Sequence, residues 1–449
     1  MGFKTMALIA ITVCLVVWAG GGAVASAAEA AAPRVIPEVL SLEKAVALAV
    51  SNHPSLRVSS GTQAINEALV GQALAPLYPQ VSGQQAYTRT TANATRNFTG
   101  SPLPRNNTGD AYSYFQNGVT MNQLLYDFGT TKAGVEYARQ NLDAANANAQ
   151  TTLQTVVVNV QQAYFTLQQT QRLVTVNEEA ILQFQKHLDL AKGRFKAGVA
   201  PKVDVTTAEV DLSNARLNLI TAQNNLLVAR VTLNNAMGIK TAEAYHAEEP
   251  TPPSSEHIAL EEALKAAMRL RPEMIAQRAQ EKSAQTNIQV QQGGFWPNLT
   301  SSANYSYSAT DFPLTYNWSV GATFSIPIFN GFLTQQQIAQ ARANLLTTIA
   351  TGEVLWQSIL LEVNQALLNL EAAQERLKVT AVTVVQATQL LQQVEGRYKA
   401  GLSNAVEVTD SEVTLVTAQT NDVVAMSNYQ AARAALDKAM GIITPLKGN

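Results

Sequence analysis

Two stretches decide the fold: Gly193–Val205 reads GRFKAGVAPKVDV, and Gly396–Val408 reads GRYKAGLSNAVEV. Their alignment runs without a gap from Gly193–Ile239 onto Gly396–Ile442, at an offset of 203 residues, with 22 identities in 47 positions. It closes on Ala236-Met237-Gly238-Ile239 and Ala439-Met440-Gly441-Ile442. Self-similarity at one period marks a repeated architecture. Towards the N-terminus the match resumes at an offset of 218. Leu42-Glu43 answers Leu260-Glu261, Pro54 answers Pro272, and Tyr78-Pro79 answers Trp296-Pro297. At Arg139 and Arg342 the offset is 203 again, so the first copy carries fifteen extra residues in between. An insertion of that kind is expected in a loop.

The quoted stretches themselves read as turns between helices. Arg194 and Lys196 stand in the last turn of a helix, where cations suit its negative end. Gly198 supplies the left-handed stop. Pro201 sits near the first position of the next helix, with Asp204 in its first turn. The second copy repeats the pattern with Arg397, Lys399, Gly401, Ser403 as the expected N-cap, and Glu407.

Outward from the turns the sequence is heptad-patterned. Leu153, Val160, Leu167, Val174, Ile181, Leu188 and Phe195 recur every seven residues, as do Trp356, Val363, Leu370, Leu377, Val384, Leu391 and Tyr398. Such spacing predicts long supercoiled helices. No proline interrupts Thr131–Ala197, so the rod reaches roughly 100 Å at about 1.5 Å per residue. The returning helix carries Val205, Leu212, Leu219, Leu226 and Leu233 beside Ala208, Ala215, Ala222, Ala229 and Ala236. That small-residue seam lets helices approach closely.

Before each rod lies a strand signal. Tyr316, Trp318, Val320, Ala322, Phe324 and Ile326 alternate with polar or small residues, and Leu299, Ala303, Tyr305, Tyr307 and Ala309 do much the same. The first copy shows it more weakly, at Val81, Tyr87, Phe115, Val119 and Met121. Eleven alternating residues fit the roughly 9–11 of a tilted transmembrane strand, and equally an ordinary half-buried hairpin. Four strands do not close a barrel, and lipid tolerates no open sheet edge. Strands in a membrane therefore require several copies of the chain.

The expected organisation is a signal peptide at 1–27, a first unit at 28–239, a linker at 240–258 and a second unit at 259–449. Each unit has a leading helix, a hairpin (about 78–126 and 297–328), a long helix (about 128–197 and 331–400) and a return helix (about 201–238 and 403–441), an assignment by periodicity. The linker includes Glu248–Glu256, EEPTPPSSE. The signal-peptide assignment follows from Lys4, the apolar run Ala7–Ala19 and Ala25-Ser26-Ala27. The only cysteine, Cys14, lies inside that run, so the mature chain is expected to have neither disulfide nor lipid anchor. With 31 basic and 33 acidic residues, nothing points to nucleic acid. Four scattered histidines and the lack of a phosphate loop or nucleophile motif argue against an enzyme, a metal or a cofactor.

Taken together, these residues resemble the TolC family of outer-membrane efflux proteins. The likeness rests on the duplicated design and on Arg271-Pro272-Glu273 running to Phe295-Trp296-Pro297. It also rests on the strands leading to Pro327-Ile328-Phe329-Asn330-Gly331 and on the two R-[FY]-x-x-G turns. The resemblance implies an α+β membrane protein, a homotrimer whose twelve-stranded β-barrel in outer-membrane lipid continues as a periplasmic α-helical barrel. It implies docking to a periplasmic adaptor and an inner-membrane pump. Gly198, Val199, Gly401 and Leu402 match the family's gripping positions, with Arg194 and Arg397 beside them. Tyr398, Glu407 and Asp410 match positions at its constricted entrance, and Asp204 an acidic position in the other turn. Ser403 departs from members with an arginine there. The expected function is efflux of small molecules; the alternatives are an exit channel for type I protein secretion and, from another class, a periplasmic adaptor.

Overall fold

A computed structural model describes residues 38–91, 111–240, 245–249 and 258–442. The expected signal peptide and most of the Pro/Ser-rich linker lie outside the described residues.

The chain builds a wall four elements wide. At one end is an antiparallel sheet of β2 (Gln80–Thr91), β3 (Ala111–Tyr126), β5 (Asn298–Ala309) and β6 (Thr315–Ser325), in the order β2-β3-β5-β6. Two rods of 67 residues descend from it, α3 (Thr130–Lys196) and α7 (Leu333–Lys399). The return helices are α4 (Lys202–Ala236) and α8 (Ala405–Met440). Near the sheet, α2 (Pro54–Leu74) packs on α3, and α6 (Pro272–Gln292) lies between α3 and α7. Near the turns, α4 packs on α3 and α8 lies between α3 and α7. So α2 continues into α4, and α6 into α8, as two columns beside the two unbroken rods.

The leading helix expected in each half is two helices. Helix α1 (Leu42–Asn52) stops before α2, and α5 (Leu260–Leu270) before α6. The cause is Pro54 and Pro272. A proline drives the preceding residue out of helical geometry, and His53 and Arg271 take ψ of 126° and 123°. The freed segments pack as a belt against the middle of the rods. Part of the expected linker joins this belt, because β4 (His246–Ala247) pairs in parallel with β1 (Val39–Leu40). The fully buried Tyr245 donates to Asn234 Oδ1 at 2.8 Å.

The heptad seams supply the helical core. Val160, Leu167, Leu188, Val363, Leu370 and Leu391 are buried, and Ala163, Ala191, Ala208, Ala215, Ala222 and Ala229 close the facing seam. Two expected members are exposed, Phe195 and Trp356. Phe195 lies past Ala191, the last α3 residue in the cluster that α3 forms with α4. Trp356 lies above the end of α8, whose Leu436, Ala439 and Met440 pack with Ile359 and Val363, so its seam has lost its partner.

The sheet has no core. None of its strand residues with a described side chain is buried. Register aligns Val119 with Tyr305, Tyr305 with Trp318, Ala303 with Val320 and Leu299 with Phe324, making one apolar face. The opposite face aligns Thr120 with Asn304 and Ser306 with Asn317. The offset of 218 holds to Thr91 and Ala309, and 203 holds from Asn122 and Ser325. The fifteen extra residues therefore fall between Thr91 and Ala111, in the segment joining β2 to β3. Among the described residues no helix is long and apolar enough to cross a membrane.

Candidate functional site

The two helix-to-helix turns lie side by side at the end of the wall remote from the sheet. Each is a closed loop of backbone hydrogen bonds. Gly198 N donates to Phe195 O at 3.0 Å and Val199 N to Arg194 O at 3.0 Å; Gly401 N donates to Tyr398 O at 3.0 Å and Leu402 N to Arg397 O at 2.9 Å. This is the Schellman arrangement, which satisfies two carbonyls left over at a helix end. Gly198 and Gly401 have φ of 75° and 77°, the left-handed region that glycine enters at least cost. The motif projects the next residue outward, and Val199 and Leu402 are exposed.

The helix after each turn starts differently. Helix α4 is preceded by Pro201, which caps without a side-chain bond. Helix α8 is capped by Asn404, not by Ser403 as expected: Glu407 N donates to Asn404 Oδ1 at 2.9 Å. Ser403 instead donates its hydroxyl to Glu407 Oε2 at 2.5 Å. A carboxylate in the first helical turn also suits the positive end of the helix. Glu407 and Asp410 are exposed and Asp204 is half-buried.

Arg194 and Tyr398 tie the two turns together. Arg194 Nη1 donates to the Tyr398 carbonyl at 2.6 Å, and its guanidinium carbon lies 4.5 Å from the centre of the Tyr398 ring. Tyr398 is only 2 % exposed in the single chain. It packs in the seam between the rods, with Val394, Ala405, Val408 and Leu190. Burial pushes its hydroxyl up in pKa, against the lowering effect of Arg194, with Asp204 adding to the rise. Arg397, by contrast, is exposed, and reaches the Leu402 carbonyl at 3.4 Å.

One group of residues here is absent from the sequence-based site. His187 of α3 is buried with its ring centre 5.7 Å from that of Tyr398. Burial lowers its pKa, opposed by Asp211, Glu395 and Asp204. Glu412 of α8 is 1 % exposed. Burial first, then Glu395 and Asp211, pushes its carboxyl up to about 8. Asp211 accepts from Thr409 Oγ1 at 3.1 Å, which links α4 to α8. Among the described residues no three His, Cys, Asp or Glu side chains are placed to hold a metal.

Comparison with known proteins identifies this wall. A family model described as outer membrane efflux protein matches residues 45–239 and 263–442. The chain belongs to the outer membrane efflux protein family. The efflux protein BepC of Brucella suis biovar 1 is 24% identical over 418 residues, spanning 90% of this chain and 86% of that one. The outer membrane protein TolC of Escherichia coli is 23% identical over 414 residues, spanning 87% and 80%. Among solved structures, the outer-membrane channel OprN superposes with a TM-score of 0.77 at 19% identity, covering 89% of both chains. VceC of Vibrio cholerae gives 0.76 at 22% identity, covering 89% of this chain and 96% of that one. OprN and VceC share the fold over 89% of this chain. The chain is thus an outer-membrane efflux channel subunit of the TolC family, a transport protein reaching from the outer membrane into the periplasm.

Proposed function

We propose that three copies of this tandem-duplicated chain close into one conduit, a twelve-stranded barrel in outer-membrane lipid continued by a tube of periplasmic helices. The observation that carries the reading is that both layers are unfinished at both flanks. Strands β2 and β6 each pair on one side only. Helices α4 and α7 flank the wall below, and each turns an apolar stripe to solvent: Val203, Val210, Leu217 and Val231 on α4, and Val354, Leu361, Leu368 and Val382 on α7. Both stripes keep the seven-residue spacing of a helix seam, with one polar interruption each, at Asn224 and Glu375. An open sheet edge is untenable in lipid, and cyclic symmetry joins one flank to the opposite flank of the next copy.

The two-faced sheet fits the same assembly. Its apolar face, with Tyr87, Tyr305, Trp318, Val320 and Phe324 exposed, meets lipid, and its polar face lines a water-filled interior. At the far end the exposed Val199 and Leu402, flanked by Gly198, Gly401 and Arg397, dock a periplasmic adaptor that couples the conduit to an inner-membrane pump. Asp204, Glu407 and Asp410 ring the entrance, where repeated carboxylates concentrate cations. Tyr398 and Arg194 act behind that ring by holding the two turns together. Two relatives are named for pyoverdine export and for fusaric acid resistance, which favours small molecules as cargo over secreted protein.

The decisive measurement is the mass of the purified chain in detergent by light scattering, together with conductance in planar bilayers. Three copies and a cation-selective channel are expected. A stable monomer refutes the assembly. Unchanged cation selectivity in Glu407→Ala/Asp410→Ala refutes the entrance role of those two residues.

A further inference from the structure

The seam between the two helical hairpins contains polar atoms that nothing in the fold satisfies. Gln183 Oε1, Arg194 Nε, Tyr398 Oη and Glu412 Oε2 are all buried without a hydrogen-bond partner, and all lie on the turn-proximal part of α3, α7 and α8. Buried polar atoms are normally paired, and leaving one unpaired is costly. The apolar packing around them is made of short clusters, such as Leu190 of α3 against Val394, Tyr398, Ala405 and Val408. Every one of those polar atoms regains water if α8 moves away from α3. The packed seam is therefore held against an opposing force that its own residues supply.

We propose that Glu412 is the proton-sensitive brace of this seam: neutral, it lets α8 lie between α3 and α7, and ionised, it favours separation of the hairpins near the turns. Its neighbours give the sign. From α7 it faces Glu395, and from α4 Asp211, both carboxylates. From α3 the same two carboxylates face His187, which Asp204 also approaches. Arg194, also on α3, is engaged by Tyr398. Glu395 is half-buried and also pairs with Lys399 of its own helix at 3.5 Å, and Asp211 is half-buried. Ionising Glu412 thus adds a buried negative charge beside two carboxylates that keep some solvent.

The linkage has two opposing parts. Glu412 holds its proton more tightly in the packed seam, up to about 8 against 4.5 in water. Packing therefore loses stability as pH rises across that interval and gains nothing further below it. His187 has the opposite bias. Its pKa in the packed seam lies below 6.5, so packing loses stability as pH falls from 6.5 through that lowered value. Just below pH 6.5 the two slopes oppose one another. Above it Glu412 dominates: the slope approaches tenfold per pH unit and flattens towards pH 8, and with the residual opposition of His187 the packed-to-separated ratio falls about tenfold between pH 6.5 and 8.

The link to channel opening rests on the conduit reading above; the brace itself does not. The test is amide hydrogen exchange of the full chain in detergent, corrected for intrinsic chemical exchange, comparing residues 405–418 of α8 with residues 425–436. Wild type should lose protection in the first segment by about tenfold between pH 6.5 and 8. Glu412→Gln should be flat above pH 6.5 and lose protection on the acid side, where His187 is no longer opposed. Glu395→Gln removes one facing carboxylate, so its decline should stop at a lower pH. A flat wild-type profile above pH 6.5, or wild-type declines in both variants, overturns the proposal. Bilayer conductance recorded in parallel separates the two readings: a chain that never conducts sinks the conduit, while the exchange profile alone decides the brace.

Discussion

Replacing Leu361 and Leu368 with glutamate should dismantle the ring while leaving each chain folded. Both side chains lie on the outer stripe of α7, 58% and 64% exposed in the single chain, so the fold of one copy does not depend on them. Fully burying a leucine is worth about 1.5–3 kcal/mol, so covering the exposed part of these two gains about 1–2 kcal/mol each on the same scale. The double variant forfeits about 2–4 kcal/mol per interface on that basis, before the cost of enclosing two carboxylates. At about 1.4 kcal/mol per factor of ten, each contact weakens roughly 30- to 700-fold. The assay is light scattering in detergent over a dilution series, with circular dichroism as the control for folding. A double variant that keeps the wild-type mass at every dilution would refute the assignment of this stripe to the interface.

Further expectations concern the joints of the wall. Gly441 has φ of 73°, and a Cβ there would lie 2.8 Å from the backbone nitrogen of Arg271, whereas one at Gly401 would meet nothing within 4 Å. Gly441→Ala should therefore cost about 2–4 kcal/mol in denaturant melts, from left-handed strain plus overpacking, against about 1–2 for Gly401→Ala; equal losses would contradict the packing described. Arg194→Ala removes a ring contact and a hydrogen bond, and exchange of amides 396–402 should rise about tenfold, with Arg194→Lys restoring little because an ammonium lacks the planar fork. Arg271 is buried and bonded to Glu362 at 2.6 Å and to Glu273 at 3.4 Å. Arg271→Ala should destabilise the belt by about 3 kcal/mol, the low end for a broken buried pair because Glu362 is partly solvated. Thiol crosslinkers placed at Val199→Cys and Leu402→Cys should capture a periplasmic adaptor, and adducts at neither position would remove the docking role.

The turns were legible because each residue type there has one cheap use, glycine for the left-handed stop and basic residues for the helix end. The neighbouring cap was not. Ser403 and Asn404 are both good N-caps, and only the backbone, which sets Asn404 Oδ1 2.9 Å from Glu407 N, decides between them. Pro54 and Pro272 were visible as matched residues, but their power to split the leading helix depends on a belt that gives the severed pieces somewhere to pack. Glu412 was illegible for a deeper reason. Its counterpart in the first copy, Glu209, is exposed and pairs with Lys192 at 3.3 Å. The same sequence position differs because α8 runs between two rods while α4 packs chiefly on one. A repeat in sequence does not impose a repeat in environment.

The placement of α8 between α3 and α7, with α4 at the outer flank, has a consequence for a closed tube. Joints between hairpins of one copy and joints between copies would alternate around the circumference, and their chemistry differs: one carries buried carboxylate, imidazole and phenol, the other is mainly aliphatic, interrupted by Asn224 and Glu375. A change in proton activity around neutrality speaks chiefly to the first. The tube could then dilate at alternate joints while the remaining ones keep the copies bound, so that widening the passage does not require the assembly to dissociate.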